Sequence, residues 1–304
     1  MPKSLDDIET SSKNIFLFWE GPYSQQGTLK QIWVCLKSIL LHEPDASLHL
    51  FSNTLQEKDL PNFTPVRWDY AELGCGTPLE GFLPLTRARW ALWSDVFRVV
   101  CLWRWGGTYM DVDDIMVRPL PKTTNAMAAC FLTEEQQATW LPNRIISGRY
   151  AAAKGRLAAS CNFRLGADPM TNFEAKNPFL ERWMREIPHH SPTAWGQELP
   201  SKLFSDAPEW SRHYVEPIPW CDLLYHPYDG GHHPEDQRYS GTRITTQVVL
   251  LEAEYLEAWP KLIRAYGFYL VKNHKFACHR NANPTQKLLN WAVQNLWKQF
   301  DCPK

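Results

Sequence analysis

Asn14-Ile-Phe-Leu-Phe-Trp19 is a short, continuously apolar run ended by Gly21-Pro22, a pattern that predicts a buried strand. Between Thr28 and Leu41 the apolar positions Leu29, Ile32, Trp33, Leu36, Ile39 and Leu40 recur at steps of three and four, the period of a helix. Two further strands are expected at Leu48–Phe51 and Pro65–Asp69. Strand, helix and strand in that order form a βαβ unit and point to an open α/β sheet. A second helix is expected from Thr86, a capping residue, to Trp105, stopped by Gly106-Gly107. Thr108–Asp111 reads as a strand entering a buried place, Ile115–Val117 as its continuation, and Ala126–Leu132 as another strand. Asn177–Ile187 suits a short helix and Thr245–Tyr266 a longer one, while His226–Tyr239 is a polar, turn-rich loop. Residues 1–13 are polar and acidic and are expected to be a flexible leader to a single domain over 14–300. No internal repeat or linker divides the chain.

Composition narrows the function more than the fold. Lys and Arg number 32 against 33 Asp and Glu, a net charge of −1 in 304 residues. A chain so balanced has no global field for nucleic acid or an anionic membrane, so a polyanion would have to be met by a local site. The run Ile15–Trp19 is short against the roughly 20 residues of a spanning helix, and Arg98 and Arg104 interrupt the apolar stretch near Val96–Trp105. No transmembrane segment is expected, and a cytoplasmic location follows from that reading. The eight cysteines form no CxxC pair and read as reduced, structural thiols. Most of the 15 tryptophans are expected in cores; a few can serve as stacking platforms.

The chemistry concentrates between Ser94 and Asp114. Asp111-Val-Asp113-Asp114 puts three carboxylates in four residues after an apolar run. Extended backbone would turn Asp111 and Asp113 to one face, where they repel unless a hard cation such as Mg²⁺ or Mn²⁺ lies between them. A solvated acidic turn is the plainer alternative. On the preceding helix, Asp95 and Arg98 share one face at an i,i+3 spacing, either as a local ion pair or as part of a polar site at the sheet edge. The two glycines that follow allow a tight turn and close approach to a ligand. Gly230-Gly-His-His-Pro-Glu-Asp236 is a surface loop whose adjacent histidines point apart, or a lid beside a cleft.

Ser94-Asp95-x-x-Arg98, Leu102, and Gly106-Gly107-x-Tyr109-x-Asp111-x-Asp113 together resemble the signature of the DXD-motif sugar-transferases. That family includes the fungal initiating mannosyltransferase, the α-1,4-galactosyltransferases and capsular polysaccharide enzymes; the clostridial glucosylating toxins are more distant members. Trp195-Gly-Gln-Glu-Leu-Pro-Ser-Lys-Leu-Phe204 is similar to the family's WGxxGPxLLTRxF segment but lacks its second Gly-Pro. Pro219–Pro227 is similar to a proline- and tyrosine-rich segment that follows it. The resemblance implies a GT-A fold, a single Rossmann-like α/β domain with helical additions, and a retaining hexosyltransferase that depends on Mn²⁺ or Mg²⁺. The implied donor is a nucleotide-sugar, UDP-hexose favoured and GDP-mannose possible; the acceptor, a small molecule, glycan or protein, is open. Asp113 is implied as a direct metal ligand, with Asp111 reaching the ion through water or holding the donor ribose. Asp95 and Arg98 are implied on the donor-sugar hydroxyls, Tyr109 near the sugar or diphosphate, and Trp19 against the base. Near the C-terminus the family places a His or Asn on the metal or diphosphate; here Lys272, Asn273, His274 and His279 compete for that role, with His274 favoured as a ligand.

Two other readings exist. A haloacid-dehalogenase-like phosphatase also carries Asp-x-Asp after an apolar strand, but normally at the start of the chain and followed by Thr or Val. A non-catalytic sugar- or nucleotide-binding protein could keep the same fold without turnover.

Overall fold

In a computed structural model, residues 4–21, 26–60, 62–82, 90–112, 114–116, 119–131, 163–219, 224–225 and 270–272 are described. The first strand, β1 (Asn14–Phe18), is buried on both faces, as its unbroken apolar run requires. Phe16 and Phe18 enter one core with helix α3 (Trp90–Trp105), while Ile15 and Leu17 enter another with helix α1 (Gln26–His42). The alternation that splits a strand's side chains between two faces thus joins two hydrophobic layers through one strand.

β1 pairs in parallel with β2 (Ser47–Phe51) and with β3 (Gly107–Tyr109). The expected βαβ unit is therefore present. Of the third strand anticipated near Pro65, a single parallel bridge from Phe51 to Val66 forms; Asp69 instead caps the short helix α2 (Tyr70–Gly74). A six-stranded sheet is completed by β5 (Ala126–Phe131), β6 (Phe163–Phe173) and β7 (Glu216–Pro219) in the order β2-β1-β3-β6-β5-β7. β6 runs antiparallel to both β3 and β5. A smaller sheet joins β4 (Asp114–Met116), β9 (Leu270–Lys272) and β8 (Leu224–Tyr225). Helices α4 (Pro178–Glu186) and α5 (Glu198–Asp206) pack on the α3 side, where Phe179, Trp183, Leu199 and Phe204 join the core.

Gly106 and Gly107 end α3 as expected, both at positive φ, 68° and 102°. A Cβ on Gly107 would stand 2.3 Å from the carbonyl oxygen of Asn14, so the turn into β3 also needs the space.

Two expectations need correction. Residues 4–13 are no trailing leader: Leu5 and Ile8 are buried in the larger core, and the Ser11 amide donates to the Trp105 carbonyl. Their two apolar side chains join the core that α3 also lines, which a polar average over the segment conceals. Asp111 and Val112 are not strand. The ladder stops at Tyr109, and the Asp114 amide closes a turn onto the Asp111 carbonyl at 3.1 Å. The helix expected over Thr245–Tyr266, the loop His226–Tyr239 and the capping Thr86 lie outside the described residues.

Candidate active site

Helix α3 presents Ser94, Asp95 and Arg98 toward the end of β3. The Arg98 guanidinium is 5% exposed and is spent on its neighbours. Nη2 lies 3.1 Å from Asp95 Oδ1 and 3.4 Å from Asp111 Oδ1, and it also donates to Ser94 Oγ; Nε donates to the Ser94 carbonyl. Cζ sits 4.5 Å above the Tyr109 ring, and the Tyr109 hydroxyl donates to Asp111 Oδ1 at 3.0 Å. A buried guanidinium is tolerated only when paired, and here two carboxylates share it. Asp95 and Asp111 remain 20% and 27% exposed. Two carboxylates thus share the one buried guanidinium and stay partly accessible, an arrangement able to meet a cation or a polyhydroxyl ligand.

The i,i+3 pair anticipated from the sequence is formed, and Asp111 joins it. Tyr109 is fully buried and its hydroxyl donates to Asp111. Arg98 is likewise covered and holds the two carboxylates that are themselves accessible.

The acid turn is fastened from behind by α1. Ser38 Oγ donates to the Cys35 carbonyl at 2.7 Å and accepts from the Met116 amide at 2.9 Å. Cys35 Sγ lies 3.8 Å from the Asp111 carbonyl. These fixings had no signature in the sequence beyond small polar residues on a helix face. Asp114, the third carboxylate of the motif, is turned fully inward. Its backbone stands opposite Lys272 in the β4–β9 ladder, which brings Leu270–Lys272 beside the strand that follows the acid turn. Asp113, Asn273, His274 and His279 lie outside the described residues. Among the described residues no group of three or more His, Cys, Asp or Glu side chains could hold a metal ion. Asp111 keeps a partly exposed carboxylate, of the kind a hard divalent ion takes together with water and phosphate oxygens.

A second polar cluster closes the carboxyl edge of the parallel strands, the end of open α/β sheets where ligands bind. Trp19 follows β1 half-buried, its ring against Gly21 and the α1-side core. Its indole N–H has no hydrogen-bond partner among the described residues. Glu20, only 3% exposed, accepts from the Asn53 amide and from Trp68 Nε1, each at 2.6 Å. Burial raises the Glu20 pKa above the usual glutamate range, against the opposing pull of those hydrogen bonds and of Arg67. Asn53 and Trp68 complete the knot by exchanging amide and carbonyl bonds. The sequence offered no reason to single out Glu20.

Gly196 belongs to the Trp195–Phe204 segment, where nothing in the sequence marks it apart. It stands directly against the Asp95 carboxylate. No described helix is long and apolar enough to cross a membrane.

Residues 31–130 match the family model for the "Glycosyltransferase sugar-binding region containing DXD motif". The human lactosylceramide 4-alpha-galactosyltransferase is 24% identical over 156 residues, 49% of this chain and 35% of that protein. The rat protein of the same name is 26% identical over the same shares. The match thus spans about a third of the length of these relatives. Among solved structures, the PaToxG glycosyltransferase superposes with a TM-score of 0.44 at 14% identity, covering 66% of this chain and 70% of that one. The segment matched by the family model contains Asp95, Arg98, Tyr109 and Asp111, the residues of the charged cluster.

Proposed function

We propose that the protein is a retaining, divalent-metal-dependent hexosyltransferase of GT-A type that moves a hexose from a nucleotide-sugar, UDP-hexose before GDP-mannose, to an acceptor hydroxyl. The observation that carries this reading is the Asp95–Arg98–Asp111 cluster inside the matched sugar-binding region. When bound, Mn²⁺ or Mg²⁺ would neutralise charge on the departing diphosphate, with Asp113, Asp111 and His274 as the residues proposed to hold it. Asp95 would accept hydrogen bonds from donor-sugar hydroxyls. Arg98 would set the direction of both Asp95 and Asp111, and Tyr109 would fix Asp111 through its hydroxyl. Trp19 would lie against the nucleotide base at the carboxyl edge of β1, with Glu20 securing the backbone beneath it. A cytoplasmic place of action is part of the proposal, and fractionation of cells producing the tagged chain tests it.

The decisive experiment is thermal unfolding with UDP, GDP and their hexoses, with and without Mn²⁺, alongside an assay of released nucleoside diphosphate. A ligand at 100 times its Kd stabilises by ~2.7 kcal/mol, an easily read shift. The shift should require the ion and vanish in Asp113→Asn, and the preferred nucleotide-sugar should yield free diphosphate. Equal shifts in chelator would sink metal dependence. Binding of the intact nucleotide-sugar without diphosphate release, tried across acceptors and water, would leave a sugar-binding protein in place of an enzyme.

A further inference from the structure

Glycine occupies a position because of its backbone angles or because of space. At Gly196 the reason is space. Its φ lies outside the left-handed region, unlike Gly76, Gly81, Gly106 and Gly107, so an L-residue could adopt the backbone. A Cβ built there would stand 2.7 Å from each carboxylate oxygen of Asp95 and 2.8 Å from its Cγ. Carbon does not approach those atoms so closely without displacing them.

The backbone at 196 is poorly placed to withdraw. Trp195 is 2% exposed; its Nε1 donates to the carbonyls of Ile187 and His190 at 2.9 and 3.1 Å, and its own carbonyl accepts from Trp183 Nε1 at 3.0 Å. The Phe82 ring meets Trp195 edge-on. Asp95 is held independently by Arg98 at 3.1 Å. The carboxylate therefore sits between the backbone of Gly196 and a buried cation, and it keeps 20% of its side chain exposed.

We infer that Gly196 is a positioning residue for Asp95: its bare Cα leaves the room in which the carboxylate is set toward the donor sugar, and any side chain at 196 turns that carboxylate away. The role at the sugar rests on the function proposed above; the steric pairing does not.

A four-member cycle tests the two parts separately, using the whole chain as wild type, G196A, D95A and D95A/G196A. G196A should lower Tm by several degrees in the wild-type background and by almost nothing in D95A, where the space has been vacated. D95N/G196A, which keeps the bulk, should show the full loss. Equal losses in every background would overturn the pairing. If G196A alone does not fold, recovery of folding in D95A/G196A supports the inference and failure of both overturns it. In folded G196A, affinity for the nucleotide-sugar should fall about tenfold or more while affinity for the bare nucleoside diphosphate stays within about twofold. Equal losses for both ligands would overturn the positioning role. A coupled Tm cycle with unchanged nucleotide-sugar affinity would remove Asp95 from the sugar and leave only the packing.

Discussion

Arg98 spends its guanidinium on Ser94, Asp95, Asp111 and the face of Tyr109. An exposed i,i+3 pair is worth under ~0.5 kcal/mol, but removing one partner of a buried pair costs ~3–5 kcal/mol. Asp95 and Asp111 stay partly exposed and can be solvated once the guanidinium is gone, so Arg98→Ala should cost between those limits, ~1–3 kcal/mol by denaturant unfolding, as well as activity; a loss below ~0.5 kcal/mol would mean that the pair acts as an exposed one. The spacing in the sequence revealed that Asp95 and Arg98 share a face. It could not reveal that Arg98 is covered, because coverage comes from Tyr109 and Asp111 across a turn. Glu20 makes a different test. Its folded pKa is raised, so folding favours the protonated form. The stability it contributes is fully present below the unfolded value of about 4.5 and is lost as pH rises through the raised folded value. The difference in unfolding free energy between wild type and Glu20→Gln should shift against the wild type as pH rises across that window. A difference independent of pH would refute the displaced titration.

At the scale of elements, the clearest case is α1 behind the acid turn. Ser38 supplies the acceptor for the Met116 amide on a strand whose partner across the ladder is β9. Ser38→Ala would leave that buried amide unpaired, at a cost of ~1–3 kcal/mol. Faster hydrogen exchange at Met116 should accompany the loss, and unchanged exchange would show that another acceptor replaces Ser38. The helices and the β1–β2 unit were legible because period 3.6 and continuous apolar runs are local signals. The acid segment is ambiguous in sequence for an equally physical reason. Strand and turn both admit an apolar residue between two aspartates, and the choice is made by the Asp114–Asp111 turn bond and by β3 ending at Tyr109. Packing of Leu5 and Ile8 was invisible for the same cause: two apolar residues in a polar segment acquire meaning only beside Trp105 and the rest of the core.

Across the whole molecule, the charged cluster and its wall come from very different depths of the chain. Arg98 and Asp111 are separated by 13 positions, whereas the glycine that accommodates Asp95 belongs to a segment emerging some hundred residues later, after the central sheet has received β6. Closing a long loop costs more entropy than closing a short one and tends to be slow. During refolding from denaturant, helix signal and burial of the α3 tryptophans should recover before nucleotide-sugar binding does, while the bare nucleoside diphosphate should be bound earlier. Simultaneous recovery of all three would contradict this order. The slot around Asp95 is thus closed last along the chain, by a segment whose bare Cα at Gly196 lies against a carboxylate set about a hundred positions earlier.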